Sequence, residues 1–218
     1  MRGSGTAVLL LGLPGFASLC LASSAGPLVG RTGAPALGTL PAEPTCNDVS
    51  CHSGNPLNFA GTLEIEGPSD YVPGASYPVV VRLTSTANQS SIVRRWGFEL
   101  TAVSQADGLG AGSFSSPDLL IRTGEQRSGG RPYISHDGDT VQPGASSPVE
   151  WAFTWTAPPQ DVGTVGFYAA GNAADGNLTN TGDTIYTTAA TAPVKPSPVE
   201  SATWGALKAR FPTFPRFP

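Results

Sequence analysis

Charged residues are scarce in this chain: Asp, Glu, Lys and Arg make up 13% of its 218 residues and leave a formal net charge of −4. No block of Lys or Arg stands out, which argues against nucleic acid as a partner. The sequence also lacks a Gly-x-Ser-x-Gly motif and a phosphate-binding loop. With only two histidines and three cysteines, it offers little from which a nucleophile and a base could be assembled. We therefore expect a protein that is not an enzyme.

Long apolar runs are confined to the N-terminus. Arg2 is followed by the mostly apolar segment 7–22 and by small residues at 23–25, a pattern typical of an export signal. The run is interrupted by Gly and Pro and is shorter than the ~20 residues that a membrane span needs. A lipoprotein signal at Cys20 fits less well, because a bulky leucine precedes that cysteine. We expect a mature chain from Gly26, secreted or in the cell envelope, without a transmembrane span.

Turn-forming residues are abundant. Gly (27 residues) and Pro (21) together exceed one fifth of the chain, which favours short strands and many turns over helices. Seven segments have the alternation or the β-branched and aromatic content of strands: 61–66, 77–83, 95–103, 132–136, 149–155, 163–171 and 183–188. They predict an all-β sandwich over 61–190. Strand periodicity assigns seven aromatic residues to its core: Trp96, Phe98, Trp151, Phe153, Trp155, Phe167 and Tyr168.

Two flanking regions differ from the strand-rich part. Residues 26–45 are rich in Gly, Pro and Ala without apolar periodicity, which predicts a linker or an extended arm wrapped on the domain. Residues 191–218 begin with a Pro-rich linker. A short C-terminal helix is predicted after it, at 201–211, from the apolar spacing of Trp204, Leu207 and Phe211.

The most specific chemistry lies in the segment 46–60, which begins Cys-Asn-Asp-Val-Ser-Cys-His. Cys46 and Cys51 are the only cysteines after the predicted signal. In an oxidising compartment such a pair forms a disulfide, binds a metal or attaches a haem. Haem c attachment needs two thiols and a histidine directly after the second one, which binds the iron. Cys46, Cys51 and His52 supply these groups.

Two alternatives remain open for this segment. A disulfide between Cys46 and Cys51 would close a small loop and stabilise it by about 2 kcal/mol, with His52 merely exposed beside it. Zinc prefers four ligands, and the available side chains are Cys46, Cys51, His52 and His136.

His136 is the second histidine and ends the predicted strand 132–136. If the cysteine segment folds against the sandwich, His136 can bind the opposite face of the iron, and two histidine ligands favour electron transfer over oxygen chemistry. Packing or hydrogen bonding is the alternative role. Candidate partners for haem propionates are Arg94, Arg95 and Arg131. The loop 175–183 carries oxygen donors suited to calcium, but ordinary turns have the same composition.

The order of several motifs is distinctive: Cys…Cys-His-Ser-Gly, Tyr-Val-Pro-Gly, Arg-Trp-Gly-Phe-Glu-Leu-Thr-Ala, Tyr-Ile-Ser-His, Trp-Thr-Ala-Pro and Val-Gly-Phe-Tyr-Ala-Ala-Gly-Asn, between Cys46 and Thr188. In this order they resemble the bacterial choice-of-anchor V domain family, which is itself similar to Reeler domains. The resemblance implies an immunoglobulin-like, Reeler-like β-sandwich at the cell surface. Members usually show Cys-x-x-Cys-His, whereas four residues separate the cysteines here.

The sequence thus leads to the hypothesis of an exported monohaem c-type protein in electron transfer. Haem is attached covalently at Cys46 and Cys51, His52 and His136 are the metal ligands, and the partner is a redox protein or a neighbouring subunit at the cell surface. The alternative is a non-catalytic extracellular adhesion or interaction module with a Cys46–Cys51 disulfide. A third hypothesis is filament assembly through the 26–45 arm or the C-terminal tail.

Overall fold

The computed structural model describes residues 26–87, 91–118, 121–138, 142 and 144–196. The predicted signal peptide and C-terminal helix lie outside these residues. No helix in the described part of the chain is long and apolar enough to cross a bilayer. The described residues form ten strands: β1 (Ser53–Gly54), β2 (Gly61–Glu66), β3 (Ser76–Ser85), β4 (Arg95–Ser104), β5 (Ser113–Ser115), β6 (Ile121–Arg127), β7 (Arg131–His136), β8 (Val149–Thr156), β9 (Val165–Ala174) and β10 (Thr181–Ala192).

The strands form two sheets. One has six strands in the order β1-β10-β9-β4-β7-β6, and the other has four in the order β2-β3-β8-β5. Neighbouring strands are antiparallel except β1, which runs parallel to β10. The predicted all-β sandwich is confirmed, and each of the seven predicted segments is a strand. The strands β1, β5 and β6 were not predicted.

The core between the sheets is apolar and aromatic. Trp155 of β8 is fully buried and makes edge-to-face contacts with Phe167 and Tyr71, with ring centroids 4.9 Å and 5.6 Å away. Its indole N–H donates to the carbonyl of Ala111 at 3.0 Å. The buried ring therefore keeps its hydrogen bond while removing a large apolar surface from water.

The prediction of core aromatics is correct for six residues and wrong for Tyr168. The other six belong to the buried core cluster. Side chains alternate along a strand, so Tyr168 cannot share a face with its neighbour Phe167. It lies on the outer face of the six-stranded sheet, where its hydroxyl accepts a hydrogen bond from Gln105 Nε2 at 2.6 Å.

The arm, residues 26–45, wraps over that outer face. Glu99 of β4 accepts hydrogen bonds from the backbone N–H groups of Gly30 at 3.2 Å and Arg31 at 2.6 Å. Alternation places Glu99 on the face opposite the core, yet it is only 2% exposed. The first half of the arm is therefore bound to the outer face of the sheet.

A buried ionic cluster fixes the second half of the arm. Glu43 accepts from the Arg131 guanidinium at 2.8 Å, from the Thr32 hydroxyl at 2.6 Å and from the Tyr133 hydroxyl. Burial, together with the hydrogen bond to Glu43, raises the pKa of Tyr133 well above its usual range. The cluster anchors the arm to β7.

The sheet continues slightly beyond the predicted end of the sandwich at 190. β10 ends at Ala192, and the Lys195 N–H then donates to the carbonyl of Tyr71 at 2.6 Å. The first residues of the Pro-rich linker are thus attached to the domain.

Candidate functional site

A cleft of about 220 Å³ opens on the outer face of the six-stranded sheet, beside the first residues of the arm. Its wall contains Cys46, Cys51, His52 and His136. These are the four residues that the sequence predicts as cofactor-binding residues. The fold therefore brings together the segment before β1 and the end of β7.

A tight turn connects the two cysteines. The carbonyl of Cys46 accepts from the N–H groups of Asp48 at 3.0 Å and His52 at 3.2 Å, and the Cys51 N–H donates to the Asp48 carbonyl at 2.9 Å. The Asp48 carboxylate accepts from the hydroxyl and the backbone N–H of Ser50, bonds that hold its pKa below the usual range. The four residues between the cysteines thus bring the ends of the segment together.

The cysteines are not bonded to each other. Cys46 is a free thiol in this structure. Cys51 is disulfide-bonded in this structure. Burial, reinforced by the negative charge of Glu99, raises the pKa of Cys46 to about 12, so its thiol stays protonated near neutral pH.

His52 is held by strands β9 and β10. Its Nδ1 lies 2.5 Å from Oδ2 of Asp183, and the amide nitrogen of Asn172 lies 3.3 Å from Nδ1 and 3.4 Å from Nε2. The side chain of His52 is 19% exposed and that of Asp183 only 2%. The imidazole is therefore a fixed and partly accessible group in the cleft wall.

His136 occupies a gap between β7 and β4. Its Nδ1 lies 3.0 Å from both the N–H nitrogen and the carbonyl oxygen of Phe98, in place of a ladder partner. A Cβ added to Gly97 would lie 2.5 Å from the imidazole Cε1, so only glycine leaves room for this ring. Burial lowers the pKa of His136, which favours the neutral form that binds metal ions.

The two histidines approach the same part of the sheet. Gly97 of β4 is paired with Asn172 of β9. Because His136 lies against Gly97 and His52 contacts Asn172, both imidazoles lie over neighbouring strands on one side of the sheet.

Two arginines contribute positive charge to the cleft. Arg95, one of the three predicted propionate partners, lines it, and so does Arg31 of the arm, which was not predicted. Arg131 instead pairs with Glu43, and Arg94 is not part of the cleft wall. Apolar contacts come from Leu28 and Leu178.

Comparison with known proteins identifies no family for this chain: no family model and no curated protein matches it. Similar solved structures include a cohesin module of a Clostridium perfringens family 33 glycoside hydrolase, at 10% identity and a TM-score of 0.41, covering 62% of this chain and 97% of that one. AvmM, described as catalysing macrocyclization in alchivemycin A biosynthesis, has 16% identity and a TM-score of 0.39, with 66% and 94% covered. AggA, the major subunit of Escherichia coli aggregative adherence fimbriae type I, has 8% identity and a TM-score of 0.37, with 66% and 99% covered.

The loop 175–183, whose composition suits either calcium or an ordinary turn, is held by hydrogen bonds between its own residues. Asp175 accepts from the backbone and side-chain nitrogens of Asn177, each at 2.9 Å, and Asn177 Oδ1 accepts from the Thr179 N–H at 2.7 Å. Among the described residues, no three His, Cys, Asp or Glu side chains are grouped so as to hold a metal ion.

Besides Arg31, the sequence did not identify the residues that hold the two histidines: Asp183, Asn172 and Gly97. Asp183 and His52 are 131 positions apart, so no local spacing connects them. Gly97 did carry a signal, because a glycine inside a strand often marks the close approach of another group.

Proposed function

We propose that this protein is an exported haem c protein that transfers electrons in the cell envelope or outside the cell. The observation that carries the proposal is the convergence of Cys46, Cys51, His52 and His136 in one cleft. Haem c needs two thiols beside a histidine, and a second histidine completes an iron site suited to electron transfer.

The donor atoms of the cleft fit this group. Each histidine uses Nδ1 for a contact within the protein, His52 with Asp183 and His136 with Phe98. In the tautomer with the proton on Nδ1, which His52 donates to Asp183 and His136 donates to the Phe98 carbonyl, Nε2 is available as a metal ligand and an outer partner orients the imidazole. His52 and His136 would hold the iron, and two histidine ligands would suit it to electron transfer.

Other residues of the cleft would attach the haem and bind its propionates. When bound, the haem supplies reversible one-electron chemistry at iron. Loss of residues 1–25 on export would leave Cys46 and Cys51 as the only thiols of the chain, both available for covalent attachment. Arg31 and Arg95 would bind propionates through charge-assisted hydrogen bonds. Access for a redox partner would be from the solvent side of the cleft.

An immunoglobulin-like and Reeler-like fold is part of the same proposal. The order β2-β3-β8-β5 matches the A-B-E-D sheet of immunoglobulin sandwiches, and β10-β9-β4 matches G-F-C. The β6–β7 hairpin extends the second sheet beyond β4. This topology supports the resemblance to choice-of-anchor V domains and hence a location at the cell surface.

Covalent attachment can be tested by coexpressing the full chain with a cytochrome c maturation system. We expect an intact mass equal to the processed polypeptide plus one haem, and a Soret band that persists after denaturation. Cys46→Ser and Cys51→Ser should each lose one thioether bond, and the double variant should lose covalent haem. A mass equal to the polypeptide minus two hydrogens, without a Soret band, would reject the proposal and favour the interaction module.

The second ligand has a separate test. His136→Ala should convert a low-spin spectrum to a high-spin one, because one of the two histidine ligands is removed. Ser135→Ala, on the neighbouring and equally buried position of β7, is the matched control and should stay low-spin. An unchanged spectrum in His136→Ala would exclude His136 as a ligand.

A further inference from the structure

Asp183 is a buried carboxylate at the wall of the cleft. Its Oδ2 lies 2.5 Å from Nδ1 of His52, and its Oδ1 accepts from the backbone N–H of Asp175 at 3.1 Å. A carboxylate removed from water is tolerated only when its oxygens are hydrogen-bonded. Both oxygens of Asp183 meet this condition, and the bond to Asp175 fixes how the carboxylate faces His52.

The contact with Asp183 decides which nitrogen of His52 carries the proton. An ionised carboxylate can only accept hydrogen bonds, so an approach of 2.5 Å requires a proton on Nδ1. The lone pair then lies on Nε2, and this is the tautomer that presents Nε2 to a metal. In the opposite tautomer, two electron-rich atoms would face each other and Nε2 could not bind iron.

Asn172 restrains the same ring from another direction. Its amide nitrogen is almost equally distant from the two ring nitrogens of His52, at 3.3 Å and 3.4 Å, which places it over the ring face rather than in the ring plane. Asn55 adds a backbone restraint, because its side chain donates to the carbonyls of Gly182 and Asp183 at 3.2 Å and 3.4 Å. The segment that carries His52 is thereby attached to β10.

We infer that Asp183 is the positioning residue for His52. It holds the imidazole in the Nδ1–H tautomer with Nε2 available to the cleft, and it strengthens Nε2 as an electron donor to bound iron. The inference rests on the proposed function. A more strongly donating ligand stabilises the oxidised state of iron, so Asp183 lowers the midpoint potential.

The test compares Asp183→Asn with two other variants. Asn is nearly isosteric but can donate to Nδ1, which permits the tautomer with the proton on Nε2. Asp175→Asn removes one charge from the same loop, at a carboxylate whose oxygens accept from Asn177, and is the matched control. Asp183→Glu keeps the charge and tests whether function is partly restored.

Two measurements follow on each full-length variant. Imidazole ¹⁵N chemical shifts of the haem-free chain at pH 8 report the tautomer of His52, and redox titration of the haem-loaded chain gives the midpoint potential. We expect mainly the Nδ1–H tautomer in the wild type and in Asp175→Asn. Asp183→Asn should gain the Nε2–H tautomer and a higher midpoint potential, and Asp183→Glu should lie between it and the wild type.

The outcomes separate this inference from the proposed function. A wild-type chain that never binds haem would reject the proposed function, while the tautomer measurement would still test Asp183. An Nε2–H tautomer in wild-type His52 would overturn the inference without any variant, even if Asp183→Asn fails to fold. If the wild type binds haem and Asp183→Asn changes neither tautomer nor potential, the inference is wrong.

Discussion

The two faces of the six-stranded sheet are both buried, but by different means. The inner face packs on the second sheet through apolar side chains such as Phe98 and Leu100. The outer face is covered by the arm and keeps charged or polar groups out of water, among them Glu99, Arg131 and Asp183. One face is held by packing and the other by hydrogen bonds with specific partners.

This difference explains where the site lies. Apolar packing is not directional and offers no polar atoms to orient a ligand. The outer face fixes side chains individually, as Asp183 fixes His52 and the Phe98 backbone fixes His136. A buried polar network is costly when any member is unpaired. The arm supplies partners to the polar groups of the outer face, and its first residues also form part of the cleft wall.

The largest expected effect is on the inner face. Trp155→Ala should lower the free energy of unfolding by about 3–5 kcal/mol, because a fully buried ring is replaced by a cavity. Urea denaturation measures this loss. Ile92→Ala is the control, since Ile92 is 87% exposed and should change stability by less than about 0.5 kcal/mol. Similar losses in the two variants would mean that the core does not dominate stability.

On the outer face, the comparable substitution removes the ion pair between the arm and β7. Glu43→Gln leaves the Arg131 guanidinium buried without its counter-charge, where its side chain is 3% exposed. We expect a loss of about 3 kcal/mol and faster tryptic cleavage after Arg31. Glu66→Gln is the control, because Glu66 pairs with Arg82 at the surface and is 57% exposed, where such pairs contribute about 1 kcal/mol or less. Unchanged cleavage in Glu43→Gln would show that the cluster does not hold the arm.

The same contrast separates what the sequence predicted from what it did not. Strand alternation predicted the inner face, and the bounds of β2 agree with the prediction at both ends. β5 and β6 were not predicted, because β5 has only three residues and β6 contains Gly124, which is typical of turns and loops. Tyr168 was misassigned because an aromatic side chain does not itself reveal which face of the sheet it occupies.

On the outer face, the sequence identified the site residues by their residue type but not their partners. Cysteine and histidine are rare here, so Cys46, Cys51, His52 and His136 could be selected from the sequence alone. Their partners could not, because aspartate and asparagine are common in turns and the contact between His52 and Asp183 depends on tertiary structure.

A third prediction concerns Gly97, the residue of β4 that leaves room for the His136 ring. Gly97→Ala places a Cβ within 2.5 Å of the His136 ring, which must then move. We expect a loss of about 1–3 kcal/mol from overpacking and, in the haem-loaded chain, partial conversion to a high-spin spectrum. Gly67→Ala is the control, since its nearest neighbour is Val79 at 3.7 Å. A low-spin Gly97→Ala protein of normal stability would contradict the placement of His136.

The smallest effect is a pH dependence of the arm cluster. The pKa of Tyr133 is raised above its ordinary value of 10.0, first by burial and then by the hydrogen bond to Glu43. Above pH 10 the unfolded chain releases this proton while the folded chain keeps it, so stability is complete below pH 10 and falls as pH rises. At pH 11 the loss is about 1.4 kcal/mol.

Urea denaturation between pH 9 and 11 should therefore show a shallower decline in Tyr133→Phe than in the wild type. The slope is the informative quantity, because removing the hydroxyl also costs a hydrogen bond at every pH. Glu43→Gln should remove only part of the slope, since burial is the larger cause of the shift. Parallel curves for wild type and Tyr133→Phe would mean that the arm leaves this hydroxyl in contact with water, and the outer face would then be a partly solvated surface rather than a second buried layer.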